Sequence, residues 1–291
     1  MPTPRSKSKS RSSRSSSRSA SSRTPKKVSK APAESPVKST RKSGRKVKVP
    51  KYTIILPVYN EVSNLPLMIH LIHRTFLTSP NLRVKDCRVV IVEDNSPDGT
   101  REMAKELQVS YGVDFIVVHE RPGKMGLGSA YLDALEYVGG EYTVLMDADL
   151  SHHPKFIPDM IRVMREGGHD VVTGTRYRDG GGVSGWDLRR KVMSKGANFL
   201  ANTLLSPGVS DLTGSFRLYR TEVLREIFPK IVSKGYVFQM EVMVRVVDAG
   251  YSVGEVGITF VDRIYGESKL GAGEVWGFLK GVAWLWLTTP E

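Results

Sequence analysis

Short apolar runs alternate with amphipathic stretches along residues 50–180. The runs are rich in Val and Ile and are bounded by polar or turn-forming residues, which is typical of strands buried on both faces. In the stretches between them, apolar residues recur at helical spacing. We predict strands at 52–59, 88–94, 114–120, 142–149 and 170–176, and helices at 65–77, 99–112, 129–138 and 154–168.

Alternation of strands and helices predicts a doubly wound α/β sheet in which most strands are parallel. Glycines supply C-terminal stops for three of the helices, at Gly112, Gly139/Gly140 and Gly167/Gly168. In such sheets ligands bind beyond the carboxyl ends of the strands, and the polar residues cluster after the first, second and fourth predicted strands. We therefore expect the functional site at that edge.

The pattern is less regular beyond residue 180. The segment GGGVSG (180–185) is predicted to be a mobile loop, and helices are predicted at 188–205 and near 236–249. Neither an internal repeat nor a linker interrupts residues 50–291. We therefore predict one globular domain at residues 49–291.

The first 48 residues have a different composition. Residues 1–50 hold 16 of the 43 Lys and Arg residues but one of the 30 acidic residues, so the net charge of +13 belongs to this tail. Because it is rich in Ser and Arg and poor in apolar residues, we predict that residues 1–48 are disordered. A solvated tail is the simplest interpretation. The alternatives are that the tail binds nucleic-acid phosphates or that it binds an anionic membrane. Serine phosphorylation would weaken either kind of binding.

Cysteine content and hydropathy narrow the cellular setting. Cys87 is the only cysteine, which excludes an intrachain disulfide and fits a reducing compartment. The basic N-terminus lacks the apolar core of a secretory signal. The most apolar long run, 275–287, contains Lys280 and is shorter than the roughly 18 to 20 residues of a spanning helix.

The segment LMDADLSHHP (145–154) combines two carboxylates with two imidazoles. In an extended backbone, side chains two residues apart face the same side, so Asp147 and Asp149 are expected to converge. Two close carboxylates repel each other unless a cation lies between them, and oxygen ligands favour Mg²⁺ or Mn²⁺. His152 and His153 point apart and lack further zinc ligands, so we expect them to cap or pack at the next helix.

Two other strand ends also carry polar side chains. Tyr59 ends the first predicted strand and Glu61 lies two residues beyond it, and Asp94 ends the second, where it could accept hydrogen bonds from a base or ribose. A helix cap and a simple turn explain the same residues equally well. GKMGLGSA (123–130) fails the spacing of a phosphate-binding loop, so Lys124 is either a point charge beside a ligand or part of a turn.

Six motifs together resemble one enzyme family. LPVYNE, VEDNSPDGT, DADLSHHP, GTRY, DLTGSFRLYR and YGESKL occur in the order expected of inverting nucleotide-sugar glycosyltransferases with the GT-A fold. More narrowly, they are similar to the motifs of the catalytic subunit of dolichyl-phosphate mannosyltransferase. The resemblance spans about residues 50–280 and leaves the tail unassigned.

The resemblance implies transfer of mannose from GDP-mannose to dolichyl phosphate with inversion, giving dolichyl β-D-mannosyl phosphate for protein glycosylation and GPI-anchor pathways. It assigns donor binding to Pro57, Tyr59, Glu61, Val92, Asp94, Asp147, Ala148, Asp149, Arg176, Arg263 and Lys269. It assigns the acceptor phosphate to Arg176, Arg190 and Ser194, catalysis to Asp149, Arg176 and Arg190, and the Mg²⁺ or Mn²⁺ ion to Asp147 and Asp149. Ser151 stands where some microbial relatives have Gln, so a third protein ligand to the metal stays open.

A membrane setting also follows from the resemblance. Family members without an anchor helix rely on small membrane-spanning partner subunits, so we expect such partners and a peripheral position on the cytosolic face of the endoplasmic reticulum. The three tryptophans within 275–287 are typical of an interfacial segment, although a core helix is the alternative. Other functions left open are a UDP-glucose-dependent transferase that uses the same lipid and a polysaccharide synthase subunit. A nucleic-acid-binding protein that acts through the tail is less favoured.

Overall fold

The computed structural model describes residues 49–186, 188–205, 208–233, 235, 237–262 and 272–288, so the predicted tail at 1–48 lies outside the described residues. The strands are β1 (Tyr52–Val58), β2 (Cys87–Glu93), β3 (Ile116–Glu120), β4 (Tyr142–Leu145), β5 (Val171–Thr175), β6 (Gly182–Ser184), β7 (Arg217–Arg220), β8 (Val253–Gly257) and β9 (Thr259–Val261). The α-helices are α1 (Leu65–Thr78), α2 (Thr100–Tyr111), α3 (Leu127–Ala134), α4 (Ile157–Gly167), α5 (Leu188–Leu205), α6 (Thr221–Ile227), α7 (Val237–Asp248) and α8 (Ala272–Thr288).

Seven of the strands form one sheet in the order β3-β2-β1-β4-β7-β5-β8. Strand β1 is parallel to both β2 and β4, β2 is parallel to β3, and β5 is parallel to β8. Strand β7 is antiparallel to β4 and β5 and lies between them. All strands of this sheet except β7 therefore run in the same direction, and their carboxyl ends lie at one edge.

The alternation of side chains along each strand explains why both faces of the sheet are buried. In β1, Ile54 and Leu56 pack on one side with α1 and α4, whereas Ile55 packs on the other side with α3, α6 and α7. In β2, Val89 and Val90 divide in the same way. Burial on both faces produces continuous apolar runs in the sequence, and helices cover both faces.

A third apolar cluster lies beside the sheet. It includes Ala201 of α5, Met240 and Met243 of α7, and Val282 and Leu285 of α8. Within the described part of the chain, none of the helices combines the length and hydropathy needed to cross a bilayer.

The predicted elements of the first 180 residues are largely confirmed. Strands β1, β2, β3 and β5 and helices α1, α2 and α4 lie within two residues of their predicted limits, apart from a short 3-10 turn at Pro154–Phe156 that precedes α4. Gly112 and Gly168 are the C-caps of α2 and α4, with positive φ angles of 94° and 65°. Helix α5 covers the predicted 188–205, and α7 lies within the predicted 236–249.

Three predictions are wrong in part. Strand β4 ends at Leu145 rather than 149: the Met146 N–H still donates to the Ile55 carbonyl over 3.4 Å, but the Asp147 N–H donates to the His152 ring and so leaves the strand pairing. Helix α3 ends at Ala134 rather than 138. The predicted loop at 180–185 contains β6, which pairs in parallel with β9.

Candidate active site

The loops after β1 and β2 are joined at the carboxyl edge of the sheet. The N–H of Asp94 donates to the Val58 carbonyl over 3.2 Å, and the N–H of Asn60 donates to the Ser96 hydroxyl over 3.1 Å. Asn60 and Asn95 both have φ angles of 59°, a left-handed conformation that Asn adopts more readily than most residues. The two loops therefore turn sharply and support each other.

The side chain of Glu93, the last residue of β2, binds the backbone of the loop that follows this strand. Its fully buried carboxylate accepts the N–H groups of Asn95 and Ser96 and the Nε of Arg101, over 2.6 to 3.1 Å. Burial alone would raise the pKa of Glu93, but the hydrogen bonds from Ser96 and Arg101 outweigh it and lower the pKa. The carboxylate is therefore stabilised in its charged form beneath the site.

Asp94 is held by an arginine that the sequence did not single out. The buried Arg121 guanidinium donates to Asp94 over 2.5 Å, to Asp133 over 2.8 Å and to the Ser129 hydroxyl over 2.6 Å. Burial raises the pKa of Asp94 more than Arg121 lowers it. Arg121 directly follows β3, so the rule that polar residues after strand ends form the site would have identified it.

The Asp-Ala-Asp segment follows β4 in a bent backbone, not in the extended one that was expected. Leu150 has a φ angle of 64°, which is strained for a residue with a branched side chain. Ser151 donates both its N–H and its hydroxyl to Asp149 Oδ1, over 3.1 and 2.5 Å. The Ser215 hydroxyl donates to Asp147 Oδ2 over 2.8 Å. Each carboxylate is therefore oriented by a serine.

The two histidines have structural roles, as predicted. His152 is buried and stacks on Phe216 at a ring separation of 5.3 Å, and its Nδ1 accepts the Asp147 N–H over 3.3 Å. His153 Nδ1 accepts the N–H of Lys155 over 3.0 Å and so caps the 3-10 turn that precedes α4.

The chemistry of the donor set decides which metal could be held here. Asp147 and Asp149 offer hard carboxylate oxygens, and the side chain of Asp147 is 33% exposed. No group of three or more Asp, Glu, His or Cys residues is placed to hold a metal among the residues that the structure describes. A site with two protein carboxylates suits Mg²⁺ or Mn²⁺, because Mg²⁺ usually takes its remaining ligands from water and substrate phosphate.

Arg176 follows β5 and is bound to a carboxylate from a distant loop. Its Nε and Nη2 donate to the two oxygens of Asp211, both over 2.7 Å, and Nη2 also donates to Thr213. The Asp211 side chain has no exposed surface, and burial alone would raise its pKa, but the Arg176 charge reverses this and leaves the pKa below its usual value. Asp211 is the first residue of the motif DLTGSFRLYR, but the sequence analysis assigned no role to it.

A second arginine, Arg190, contacts the Trp186 ring that Arg176 also approaches. Arg190 donates to both oxygens of Asp262, over 2.9 and 3.1 Å, and its guanidinium carbon lies 4.3 Å from the centre of the Trp186 ring. Arg176 lies 5.5 Å from the same ring centre. The structure therefore brings the predicted Arg176 and Arg190 together around an aromatic side chain that sequence reasoning missed.

Arg176 and Trp186 line a pocket of about 450 Å³ between the segment after β5 and the first turns of α5. The predicted Ser194 stands beside it, where its hydroxyl shares a 2.7 Å hydrogen bond with Tyr177. The cationic residues that line the pocket are Arg176, Arg178, Lys191 and Lys195, and its apolar lining includes Val183, Trp186, Leu188 and Val192. Positive charge beside an apolar wall is suited to an anionic group attached to a hydrocarbon.

The remaining predicted residues divide into three groups. The Lys124 ammonium nitrogen lies 4.8 Å from the centre of the Tyr59 ring, and the Glu61 carboxylate accepts a hydrogen bond from the side-chain amide of Asn64 over 2.7 Å. Val92 and Ala148 are buried, Val92 with no exposed surface, and Pro57 is half-buried in β1. Arg263 and Lys269 lie outside the described residues.

Comparison with known proteins identifies related chains. The family model described as "Glycosyl transferase family 2" matches residues 53–228. Polyprenol monophosphomannose synthase of Mycolicibacterium smegmatis is 38% identical over 226 residues, which cover 76% of this chain and 82% of that protein. Undecaprenyl-phosphate mannosyltransferase of Micrococcus luteus is 36% identical over 227 residues, 76% of this chain and 88% of that protein.

Solved structures of lower identity share the fold. Glucosyl-3-phosphoglycerate synthase from Mycobacterium tuberculosis, in complex with Mn²⁺, UDP and glucosyl-3-phosphoglycerate, aligns with a TM-score of 0.60 at 19% identity, covering 83% of this chain and 81% of that one. Mannosyltransferase PcManGT from Pyrobaculum calidifontis, in complex with GDP-Man and Mn²⁺, aligns with a TM-score of 0.51 at 16% identity, covering 76% and 59%. The predicted GT-A fold is thereby confirmed.

The ion pair between Arg176 and Asp211 generates a pH-dependent prediction. We expect Asp211→Asn to lower the free energy of unfolding by about 3 kcal/mol at pH 7, because it leaves the Arg176 charge buried without its partner. Since the folded pKa of Asp211 is depressed, wild-type stabilisation is present above the unfolded pKa of about 3.9 and is lost as the pH falls through the folded value. Urea unfolding from pH 7 to about pH 3 measures the difference.

The matched control is Asp179→Asn, which removes an exposed carboxylate three residues after Arg176 and should change stability by less than about 0.5 kcal/mol. A stability difference between wild type and Asp211→Asn that stays constant down to pH 3 would contradict this account of the ion pair.

Proposed function

The chain belongs to glycosyl transferase family 2, and on this premise we propose that it transfers mannose from GDP-mannose to dolichyl phosphate with inversion. The product would be dolichyl β-D-mannosyl phosphate, a mannose donor for protein glycosylation and GPI-anchor synthesis. Support comes from the two relatives described above, whose names specify mannose and a polyprenyl phosphate.

The observation that carries the proposal is the pocket beside Arg176. It combines Lys191 and Lys195 with the apolar side chains of Leu188 and Val192 on the same helix. A lipid phosphate presents this combination, since its phosphate needs cations and its chain needs an apolar surface. An acceptor that is a free sugar hydroxyl needs neither feature.

For the donor, we propose that the loops after β1 and β2 hold the nucleoside. Pro57, Tyr59, Glu61, Val92 and Asp94 are the proposed contacts, and Asp94 would accept hydrogen bonds from the base or ribose. The Arg121 guanidinium fixes the Asp94 carboxylate before any ligand binds. Val92 has no exposed surface, so its contribution would be to shape the floor of the pocket.

The diphosphate of the donor is assigned to the segment after β4. Asp147 and Asp149, with Ala148 between them, would hold Mg²⁺ or Mn²⁺, and that ion would neutralise charge that develops on the leaving diphosphate. Ser151 donates to Asp149 and thus orients a ligand, so we propose that water takes the place of a third protein ligand. Arg263 and Lys269 stay among the proposed phosphate contacts.

The acceptor phosphate is assigned to Arg190, Ser194 and Arg176. Arg176 lines the pocket with its orientation fixed by Asp211, and Arg190 offers a planar guanidinium beside Trp186. A phosphate monoester is already anionic at pH 7, since its second pKa is about 6, so attack needs no strong general base.

The proposed reaction is a single in-line displacement. One acceptor phosphate oxygen forms a bond to the anomeric carbon while the bond between that carbon and the donor diphosphate breaks. GDP leaves with the bonding electron pair, and the configuration at the carbon inverts. The task of the residues named above is to position the two anions and to stabilise the charge of the leaving group.

A peripheral position on the cytosolic face of the endoplasmic reticulum, together with small membrane-spanning partner subunits, completes the proposal. Both features follow from the family resemblance.

The choice of donor is tested by binding. Calorimetric titration in the presence of Mn²⁺ should show GDP-mannose binding at least about tenfold more tightly than UDP-glucose, because a pocket shaped for one base leaves polar groups unpaired with another. Tight binding of UDP-glucose, with no heat of binding from GDP-mannose, would contradict mannose transfer and favour the UDP-glucose-dependent transferase.

The acceptor assignment predicts a specific kinetic change. Arg190→Ala should raise the apparent KM for dolichyl phosphate about tenfold or more and the KM for GDP-mannose much less, because it removes a charged donor from the acceptor phosphate. Arg162→Ala is the control, since it truncates an arginine that is exposed on α4 and paired with Asp159. A larger effect on the KM for GDP-mannose than on that for dolichyl phosphate would contradict this assignment and indicate that Arg190 binds the donor.

A further inference from the structure

A loop of six residues, 210–215, contacts both halves of the candidate site. Near its start, the Asp211 carboxylate accepts two hydrogen bonds from the Arg176 guanidinium. At its end, the Ser215 hydroxyl donates to Asp147. We refer to residues 210–215 as the linking loop. One short segment therefore orients a residue that is proposed to bind the acceptor and a residue that is proposed to bind the metal.

The linking loop is held in place by its own hydrogen bonds and by close packing. The N–H of Gly214 donates to Asp211 Oδ1 over 3.1 Å, and Ser210 donates its N–H and its hydroxyl to Glu255 Oε1, both over 2.7 Å. A Cβ atom at Gly214 would lie 3.2 Å from the Gly174 carbonyl oxygen, which is tighter than an ordinary van der Waals contact. The loop therefore packs directly against β5.

Asn198 connects α5 with the linking loop. Its side chain is buried, and its Oδ1 accepts the N–H of Leu212 over 3.0 Å. Its Nδ2 donates to the Thr213 hydroxyl and to the Ser194 carbonyl, both over 3.1 Å. An amide side chain supplies an acceptor oxygen and two N–H donors, which matches these three contacts.

The Thr213 hydroxyl accepts hydrogen bonds from two directions. Arg176 Nη2 donates to it over 2.7 Å, and Asn198 Nδ2 donates to it over 3.1 Å. Ser194, whose carbonyl also accepts from Asn198, lies one helical turn earlier on α5. Arg176 and Ser194 are both assigned to the acceptor phosphate, and Asn198 joins the elements that carry them.

We propose that Asn198 is a positioning residue for the acceptor phosphate. It holds the Ser194 turn of α5 against the loop that orients Arg176, so the two polar groups are already arranged when the acceptor binds. An anion binds more tightly to donors that are preset, because less ordering is needed on binding. The inference rests on the proposed function, since it assigns a task within the acceptor site.

The test measures binding of a short polyprenyl phosphate, farnesyl phosphate, by calorimetry in the absence of sugar donor. Asn198→Ala should weaken this binding at least about fivefold, because the hydrogen bonds that fix the acceptor groups are lost. The matched control is Asn202→Ala, which truncates the same kind of side chain one turn further along α5 and should stay within about twofold of wild type.

Donor binding separates a positioning role from a general structural one. GDP-mannose, titrated with Mn²⁺ present, should bind to wild type, Asn198→Ala and Asn202→Ala with dissociation constants within about twofold of one another, since the linking loop keeps its other contacts. Equal weakening of farnesyl phosphate and GDP-mannose binding by Asn198→Ala would overturn the proposal.

Thr213→Val provides a second variant that leaves α5 unchanged. It removes the hydroxyl that accepts from Arg176 and Asn198, so it should also weaken farnesyl phosphate binding at least about fivefold. In the double variant the loss should be smaller than the product of the two single losses, because both changes remove one shared contact. Single effects that multiply fully would overturn the proposal.

Binding by the wild-type chain distinguishes the proposed acceptor from the role of Asn198. If the wild type does not bind farnesyl phosphate, the lipid-phosphate acceptor is contradicted and the positioning role is overturned with it. If the wild type binds and Asn198→Ala binds equally well, the positioning role alone is overturned.

Discussion

Helices cover both faces of the seven-stranded sheet, and this constraint determines where polar chemistry can occur. A charged side chain on either face would have to be buried among the residues of α1, α3, α4, α6 or α7, at a high cost in free energy unless it is paired. Charged side chains avoid this cost at the carboxyl edge of the sheet, because there the strands end in loops whose backbone and side chains reach solvent. Aligned parallel strands deliver Tyr59, Asp94 and Asp147 to that edge from residues far apart in the chain. The position of the site is therefore a consequence of the fold.

Buried ionic contacts convert this edge from a collection of loops into a fixed arrangement. Glu93 holds the loop after β2, Arg121 orients Asp94, and Asp211 orients Arg176. Breaking such a pair by removing one partner typically costs about 3 to 5 kcal/mol, which is a large part of the stability of a domain. The proposed binding of two anions would gain from charges and dipoles that are already in place, since no reorganisation is then needed at the moment of reaction.

Hydropathy predicted most of the sheet, because strands buried on both faces leave continuous apolar runs. It did not predict β7, since Arg217 and Arg220 at its two ends resemble surface residues. Arg217 is in fact fully buried and donates to the carbonyls of Leu212 and Gln239. The two aspartates of the candidate site were proposed from their position at the end of a predicted strand. Ser151 lies two residues from Asp149, but the contact of Ser215 with Asp147 and the pairing of Arg176 with Asp211 join residues 68 and 35 positions apart. Tertiary packing brings these residues together, and spacing along the chain does not encode it.

The transfer reaction itself tests the central claim most directly. Purified protein comprising residues 1–291 is incubated with radiolabelled GDP-mannose, dolichyl phosphate and Mn²⁺, and the label extracted with the lipid is measured. The account predicts lipid-linked mannose with the wild-type chain and a loss of at least about a hundredfold with Asp149→Ala, which should retain the wild-type fold by circular dichroism. Absence of lipid-linked label with the wild type, or wild-type turnover by Asp149→Ala, would contradict it.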